Sequence, residues 1–170
     1  LVVWPETAIP ATVWEGGSVR EYLCELSEEC GVPILAGVFY PEEGTDRVYN
    51  SIVVALPDGR IHDTVYHKRN PVPFGEFVPW RNLVMTLIPP LGQIGMLEDD
   101  LLVGDESTVF DLDGGRVGSM ICFDSIYEAL CRDSVAAGAS PRPTLCFAFH
   151  GHRHFQRHLH HLGEGGLAFV

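Results

Sequence analysis

Four side chains in this sequence are of types, and stand in settings, that could carry out covalent chemistry. Cys122 follows a β-prone run, Arg116 to Ile121, and precedes a helical stripe that Ser125 and Glu128 open as a capping box. A strand end and a helix start therefore meet at its thiol, where free N–H groups and the positive dipole end favour the thiolate. Cysteine is also a commonly buried small hydrophobe, so packing is the competing reading of that position. Glu6 follows Trp4 and Pro5 at the end of an apolar run, where a carboxylate is costly unless it meets a partner or serves as a base. Lys68, the only lysine in the chain, ends the run from Ile61 to His67. Beside a thiolate its ammonium could steady the nucleophile and then the oxyanion of a tetrahedral intermediate. Glu76 lies in Val72-Pro73-Phe74-Gly75-Glu76-Phe77-Val78-Pro79, a loop restrained by two prolines and a glycine and too apolar for an ordinary solvated linker. Without those neighbours Glu76 would read as a surface carboxylate.

The elements that must hold these groups are marked by periodicity and by turn residues. Leu1 to Trp4 reads as the last part of a buried strand ended by Pro5. A capping box at Ser18 and Glu21 predicts a helix with an apolar stripe of Val19, Tyr22, Leu23, Leu26 and Cys30, closed by Gly31 and Pro33. Ile34 to Tyr40 is β-prone. Tyr49 to Leu56, the Pro57-Asp58-Gly59 turn and Ile61 to His67 predict a hairpin. After the loop and a short helix near Arg81 to Ile88, a second hairpin is expected from Thr108 to Ile121, turning at Asp113-Gly114-Gly115. Ile126, Leu130 and Val135 then continue as a helix to Gly138. Strands interleaved with helices and hairpins indicate an α/β layered domain on a mixed sheet.

Composition narrows the function classes. With 11 basic against 23 acidic residues, net charge −12, the chain is poorly suited to phosphate backbones, and nucleic acid is excluded as a partner. The longest candidate for a membrane span, Leu83 to Leu97, is broken by Pro89, Pro90, Gly92 and Gly95. An opening on Leu1-Val2-Val3-Trp4-Pro5, without a basic leader or initiator Met, predicts a piece cut from the middle of a longer protein. The cysteines show no Cys-x-x-Cys spacing, and Cys24 and Cys30 on one helix would lie roughly 9 Å apart, so no disulfide framework is expected. Cys24, Cys30, Cys131 and Cys146 read as packing residues.

Three segments together carry a family resemblance. Trp4-Pro5-Glu6-Thr7-Ala8, the stretch from Tyr66-His67-Lys68 through Pro79, and Ile121-Cys122-Phe123-Asp124 resemble, in order, the Glu, Lys and Cys segments of the nitrilase superfamily. The Val-Pro-Phe-Gly-Glu-aromatic-Val-Pro loop is similar to that of its apolipoprotein N-acyltransferase branch. The resemblance covers about Leu1 to Ser140 and implies an αββα sandwich, here incomplete at both ends. It implies Glu6 as general base, Lys68 as stabiliser of the tetrahedral intermediate and Cys122 as acyl-accepting nucleophile. Glu76 matches a further essential glutamate of the acyltransferase loop, and Phe74, Phe123 and Asp124 join it as supporting or substrate-facing residues. Phe123-Asp124 departs from the Tyr-Glu common in that branch. The implied reaction moves an acyl group from a phospholipid to the thiol as a thioester, then to the N-terminal amine of an apolipoprotein's lipidated cysteine. No cofactor or metal is called for. Upstream membrane helices would hold the domain on the extracytoplasmic face of the cell membrane.

Residues 141–170 differ in kind. They carry 3 basic residues against 1 acidic and six of the eight histidines, whereas the first 140 residues carry 8 basic and 22 acidic. No Asn follows Asn82, although the family's next strand should lead to an Asn-rich segment. A frame-shifted, His-rich tail after a partial domain at residues 1–140 is the expectation. A metal site on His150, His152, His154, His158, His160 and His161 is the sharper alternative, without acidic or Cys ligands nearby. Two other functions compete with the acyltransferase: a soluble nitrilase-type amidase, and a truncated remnant without activity.

Overall fold

The computed structural model describes residues 1–9, 14, 17–87, 100–139 and 145–147. Two sheets face each other. In the first, β1 (Val2–Val3) pairs in parallel with β2 (Ile34–Pro41). β2 pairs antiparallel with β3 (Val48–Ala55), and β3 in turn with β4 (Tyr66–His67). In the second, β5 (Val109–Leu112) forms a hairpin with β6 (Gly115–Ile121), and β7 (Leu145–Phe147) runs parallel to β6 on its other side. The second sheet thus continues past residue 140, while the six tail histidines lie outside the described residues.

Strand alternation builds the layers. Leu35, Ile52, Val54 and Tyr66 face Phe110, Leu112, Val117 and Ile121 across the interior between the sheets. The residues in between, Ile34, Ala36, Val38, Val53 and Ala55, point the opposite way and pack with Trp14 and with Leu23 of α1 (Ser18–Cys30), which follows Trp14 in the chain. On the far side, α3 (Glu128–Ala136) lies on β6 through buried Leu130 and Ser134, with Cys131 Sγ 3.7 Å from Met120 Sδ. The order is helix, sheet, sheet, helix: an αββα sandwich.

Several local expectations are corrected. Leu1 and Val2 are exposed, because β1 is an edge strand that pairs with β2 alone. No side chain caps α1; Gly17 is its N-cap, and Ser18 lies inside the first turn. The buried face of α1 is turned from the expected stripe. Leu23 and Ser27 are buried while Tyr22 and Cys30 are exposed, and the Ser27 hydroxyl is satisfied by the carbonyls of Val32 (2.8 Å) and Ala55 (3.1 Å). The second strand of the first hairpin shrinks to a bridge at Ile61 and the two residues of β4. A short helix α2 (Arg81–Leu87) follows the proline-rich loop as expected. No described helix is long and apolar enough to cross a membrane.

Candidate active site

Glu6 sits on a bulge. The segment before it pairs with β2 at Val3 and Leu35, and the segment after it at Ile9 and Val38, so six residues on one side match three on the other. The slack lifts Glu6 out of the ladder. Gly37 makes this possible: its N–H donates to the Pro5 carbonyl at 3.2 Å, and a Cβ there would overlap that oxygen and come within 2.7 Å of Glu6 Cα.

Lys68 follows β4 directly. Its backbone N–H donates to Asn50 O at 2.8 Å and its carbonyl accepts from Gly104 N at 2.9 Å. A Cβ on Gly104 would overlap the His67 carbonyl, so only glycine lets that strand edge close over Lys68. The whole side chain is buried, at 1% exposure, which an ammonium tolerates only with anionic partners. It has two: Nζ lies 3.2 Å from Glu6 Oε1, and 2.9 and 2.8 Å from Glu76 Oε1 and Oε2. Burial by itself lowers the pKa of Lys68, but Glu6 and Glu76 together outweigh it and hold the amine charged, above its ordinary range.

Glu76 reaches Lys68 because its loop closes on itself. Val72 O accepts from Gly75 and Glu76 N–H, Phe74 N–H donates to Phe77 O, and Glu76 Oε2 accepts from Val72 N–H at 2.7 Å. The carboxylate thus staples the loop that carries it. Phe74, at the tip, has φ +62° and is exposed.

Cys122 directly follows β6 with φ +48°, a left-handed conformation that costs a non-glycine residue on the order of 1–3 kcal/mol. What holds it there is Asp124, which is fully buried. Oδ1 accepts from the backbone and side-chain N–H of Asn70 at 2.8 and 3.0 Å, and Oδ2 from the Tyr66 phenol at 2.8 Å and Ile121 N–H at 3.2 Å. Both oxygens of Asp124 are therefore committed to the protein's own hydrogen bonds. Phe123 stacks edge-on against Tyr127 and lines an open cavity of about 270 Å³ with Arg69, Pro73, Phe77 and Val103.

The helix expected to activate Cys122 starts too late to do so. Residues Cys122–Ile126 form a 3-10 turn, Tyr127 is extended, and α3 begins only at Glu128. Ser125 donates to Cys122 O at 2.7 Å and caps nothing, while Ile126 and Val135 are exposed instead of forming a stripe. The electrostatics change sign accordingly. Burial pushes the Cys122 thiol up, and Glu6 pushes it further; Lys68 pulls down and Glu76 pushes up, with a smaller opposing contribution from Phe123 N–H. Two carboxylates around one ammonium disfavour a third anion, which favours the thiol form of Cys122.

Lys68 thus contacts both Glu6 and Glu76, and all three act electrostatically on Cys122. The sequence reading missed Asn50, whose Nδ2 donates to Glu6 Oε1 at 2.8 Å and Glu76 Oε1 at 3.1 Å. A signal was present: Asn is depleted in strands, and Asn50 interrupts an otherwise apolar and aromatic run. Tyr66 and Asn70, the anchors of Asp124, were also missed. The described residues contain no cluster of three or more His, Cys, Asp or Glu suited to a metal.

A thiol beside an acid and a buried amine, at strand ends of an αββα sandwich, describes the carbon-nitrogen hydrolase class of domain. The carbon-nitrogen hydrolase family model matches residues 1–165, and the chain belongs to that family. Among curated proteins it is similar to the apolipoprotein N-acyltransferase of Methylococcus capsulatus, 34% identical over 131 residues, 75% of this chain and 24% of that one. That of Aquifex aeolicus is 33% identical over 127 residues, 75% of this chain and 27% of that one. The chain thus spans about a quarter of the length of these relatives. Solved structures share the fold. They include an amidase of the nitrilase superfamily from Nesterenkonia (TM-score 0.62, 14% identity, 92% of this chain and 55% of that one). The CN-hydrolase superfamily protein XC1258 of Xanthomonas campestris is another (TM-score 0.59, 20% identity, 92% and 55%).

Proposed function

We propose that the chain supplies the catalytic centre of an apolipoprotein N-acyltransferase at the cell membrane, acting on its extracytoplasmic face. The observation that carries this reading is the unequal use of two carboxylates on one ammonium. Both oxygens of Glu76 are committed, to Asn50, Lys68 and Val72. Glu6 receives its donors on Oε1, and among the described residues none reaches Oε2. Glu6 therefore has a free oxygen for a proton, and Glu76 does not.

A resting thiol needs that base. As Cys122 Sγ attacks the ester carbonyl of a phospholipid, Glu6 takes the thiol proton. The Lys68 ammonium stabilises the oxyanion, which collapses to a thioester. Glu6 returns the proton to the departing lysophospholipid alcohol. In the second half the free N-terminal amine of a lipidated cysteine attacks the thioester, Glu6 takes a proton from nitrogen, and the thiol is released as the amide forms. Phe74 and Trp80, exposed on the loop carrying Glu76 and just past it, are apolar surface suited to a lipid donor.

The test is direct. The protein is incubated with diacyl phospholipid in micelles, and the Cys122 peptide is weighed by mass spectrometry. Acyl mass on Cys122, removed by a lipopeptide with a free amine and absent in Cys122→Ala, is expected. Folded protein that hydrolyses simple amides but takes no acyl group from phospholipid would make it an amidase instead.

A further inference from the structure

We propose that Asn50 is a positioning residue that sets the division of labour between Glu6 and Glu76, a reading that deepens the acyl-transfer proposal and rests on it. The amide is buried at 1% exposure beneath Lys68, on β3. It has two hydrogens on Nδ2, and each goes to a different carboxylate, at 2.8 and 3.1 Å, on Oε1 in both cases. Lys68 Nζ contacts the same two Oε1 atoms. Glu6 Oε1 therefore receives both of its donors, which orients the carboxylate and leaves Oε2 for the thiol proton.

The opposite end of the amide shows what this orientation costs. Asn50 Oδ1 is buried without a hydrogen-bond partner among the described residues. An orphaned buried acceptor is unfavourable, and the amide would turn over if that relieved it. Turning it would aim Oδ1 at two carboxylates at once. The carboxylates therefore dictate the orientation, and the two bonds they receive outweigh the orphan. Asn50 also contributes to the placement of Lys68 through its backbone, since Asn50 O accepts from Lys68 N–H at 2.8 Å. One residue thus fixes all three charged groups.

The experiment is a double-mutant cycle read by the rate at which iodoacetamide alkylates Cys122 at pH 8 in the full chain, followed by mass spectrometry. Asn50→Ala removes the donors and leaves the carboxylates less neutralised, so Cys122 should react roughly 3-fold more slowly. In a Glu6→Gln background the same change should have a smaller effect, because only Glu76 is left as a carboxylate through which Asn50 acts. Isosteric Asn50→Asp, which keeps the packing volume should Asn50→Ala fail to fold, is expected to slow alkylation further. In phospholipid acylation Asn50→Ala should lower kcat about 10- to 100-fold with KM little changed, as expected for losing hydrogen bonds to charged groups. Additive effects of Asn50→Ala and Glu6→Gln, or an Asn50→Asp protein that alkylates like wild type, would overturn the proposal. If the cycle is non-additive but wild type takes no acyl group from phospholipid, Asn50 keeps its place and the acyltransferase reading falls. If acylation occurs and the cycle is additive, the reverse holds.

Discussion

The Tyr66 phenol donates to Asp124 Oδ2 at 2.8 Å in the buried layer between the two sheets. Tyr66 lies two residues before Lys68, and Asp124 two residues after Cys122. The bond therefore ties the strand just before the amine to the turn carrying the thiol, across the gap between two sheets that share no backbone ladder among the described residues. Burial, and then the Asp124 carboxylate, push the Tyr66 pKa upward, so the phenol stays a donor over the whole physiological range.

Tyr66→Phe should weaken the domain by about 1–2 kcal/mol, the net worth of a hydrogen bond to a charged group. Asp124→Asn should cost more. Its amide can accept on one oxygen only, and its NH2 would face donors from Tyr66 and Ile121 or from Asn70. Urea unfolding of both variants against wild type checks the order, and equal loss would mean that Asp124 is not the hub of these bonds.

Gly37→Ala and Gly104→Ala each force a methyl into backbone, at Pro5 O and at His67 O. Each should destabilise by roughly 1–3 kcal/mol, as for overpacking. Acyl-enzyme formation should fall further than stability alone predicts, because the displaced segments carry Glu6 and Lys68. Comparing the two losses at a temperature where both variants remain folded settles the point.

The Cys122 thiol is raised in the folded state by burial and by Glu6 and Glu76. The folded chain therefore holds this proton more tightly than the unfolded one. Its contribution to stability is complete below the ordinary thiol pKa and is lost as pH rises through the raised value. Alkylation of Cys122 should accordingly have a midpoint above that of a free thiol and lag behind exposed Cys30 at neutral pH. Glu6→Gln should bring the midpoint down and yet abolish acyl transfer. Those opposite movements distinguish a base from a mere counter-charge, and a variant that retained activity would remove Glu6 from the chemistry.

Lys68→Met leaves two carboxylates facing each other with no cation. Breaking a buried pair in this way costs about 3–5 kcal/mol, and thermal unfolding should show it. The alkylation midpoint of Cys122 should also rise, since Lys68 is the charge that pulls it down. Because the Lys68 pKa is raised, the stability from its charge is complete below the ordinary lysine pKa and is lost only as pH rises through the raised one. Wild-type stability should therefore be insensitive to this group around neutrality.

Residue order already pointed to the acid, the amine and the thiol, because each follows a β-prone run and each belongs to a segment long enough to be distinctive. The hairpins were marked by Pro57-Asp58-Gly59 and Asp113-Gly114-Gly115, where turn chemistry is local. Helix starts were misread for the same reason. Ser18 and Ser125 have the right neighbours for caps, but the cap position depends on where the chain enters the helix, and packing on the sheets moved it.

Periodicity and turn residues thus marked the layered α/β class, and the resemblance of three ordered segments pointed to the family and to the candidate reactive side chains. Only the tertiary structure decided their surroundings: that burial and two carboxylates favour the thiol form of Cys122, that Glu76 is bonded on both oxygens while among the described residues nothing donates to Glu6 Oε2, and that Asn50 bridges Glu6 and Glu76 while Asp124 joins Tyr66 and Asn70 to the chain beside Cys122. The physical reason is that pKa and hydrogen-bond capacity depend on burial and on polar and charged groups brought from five separate segments. No interval of sequence contains those distances; the packing of two sheets creates them.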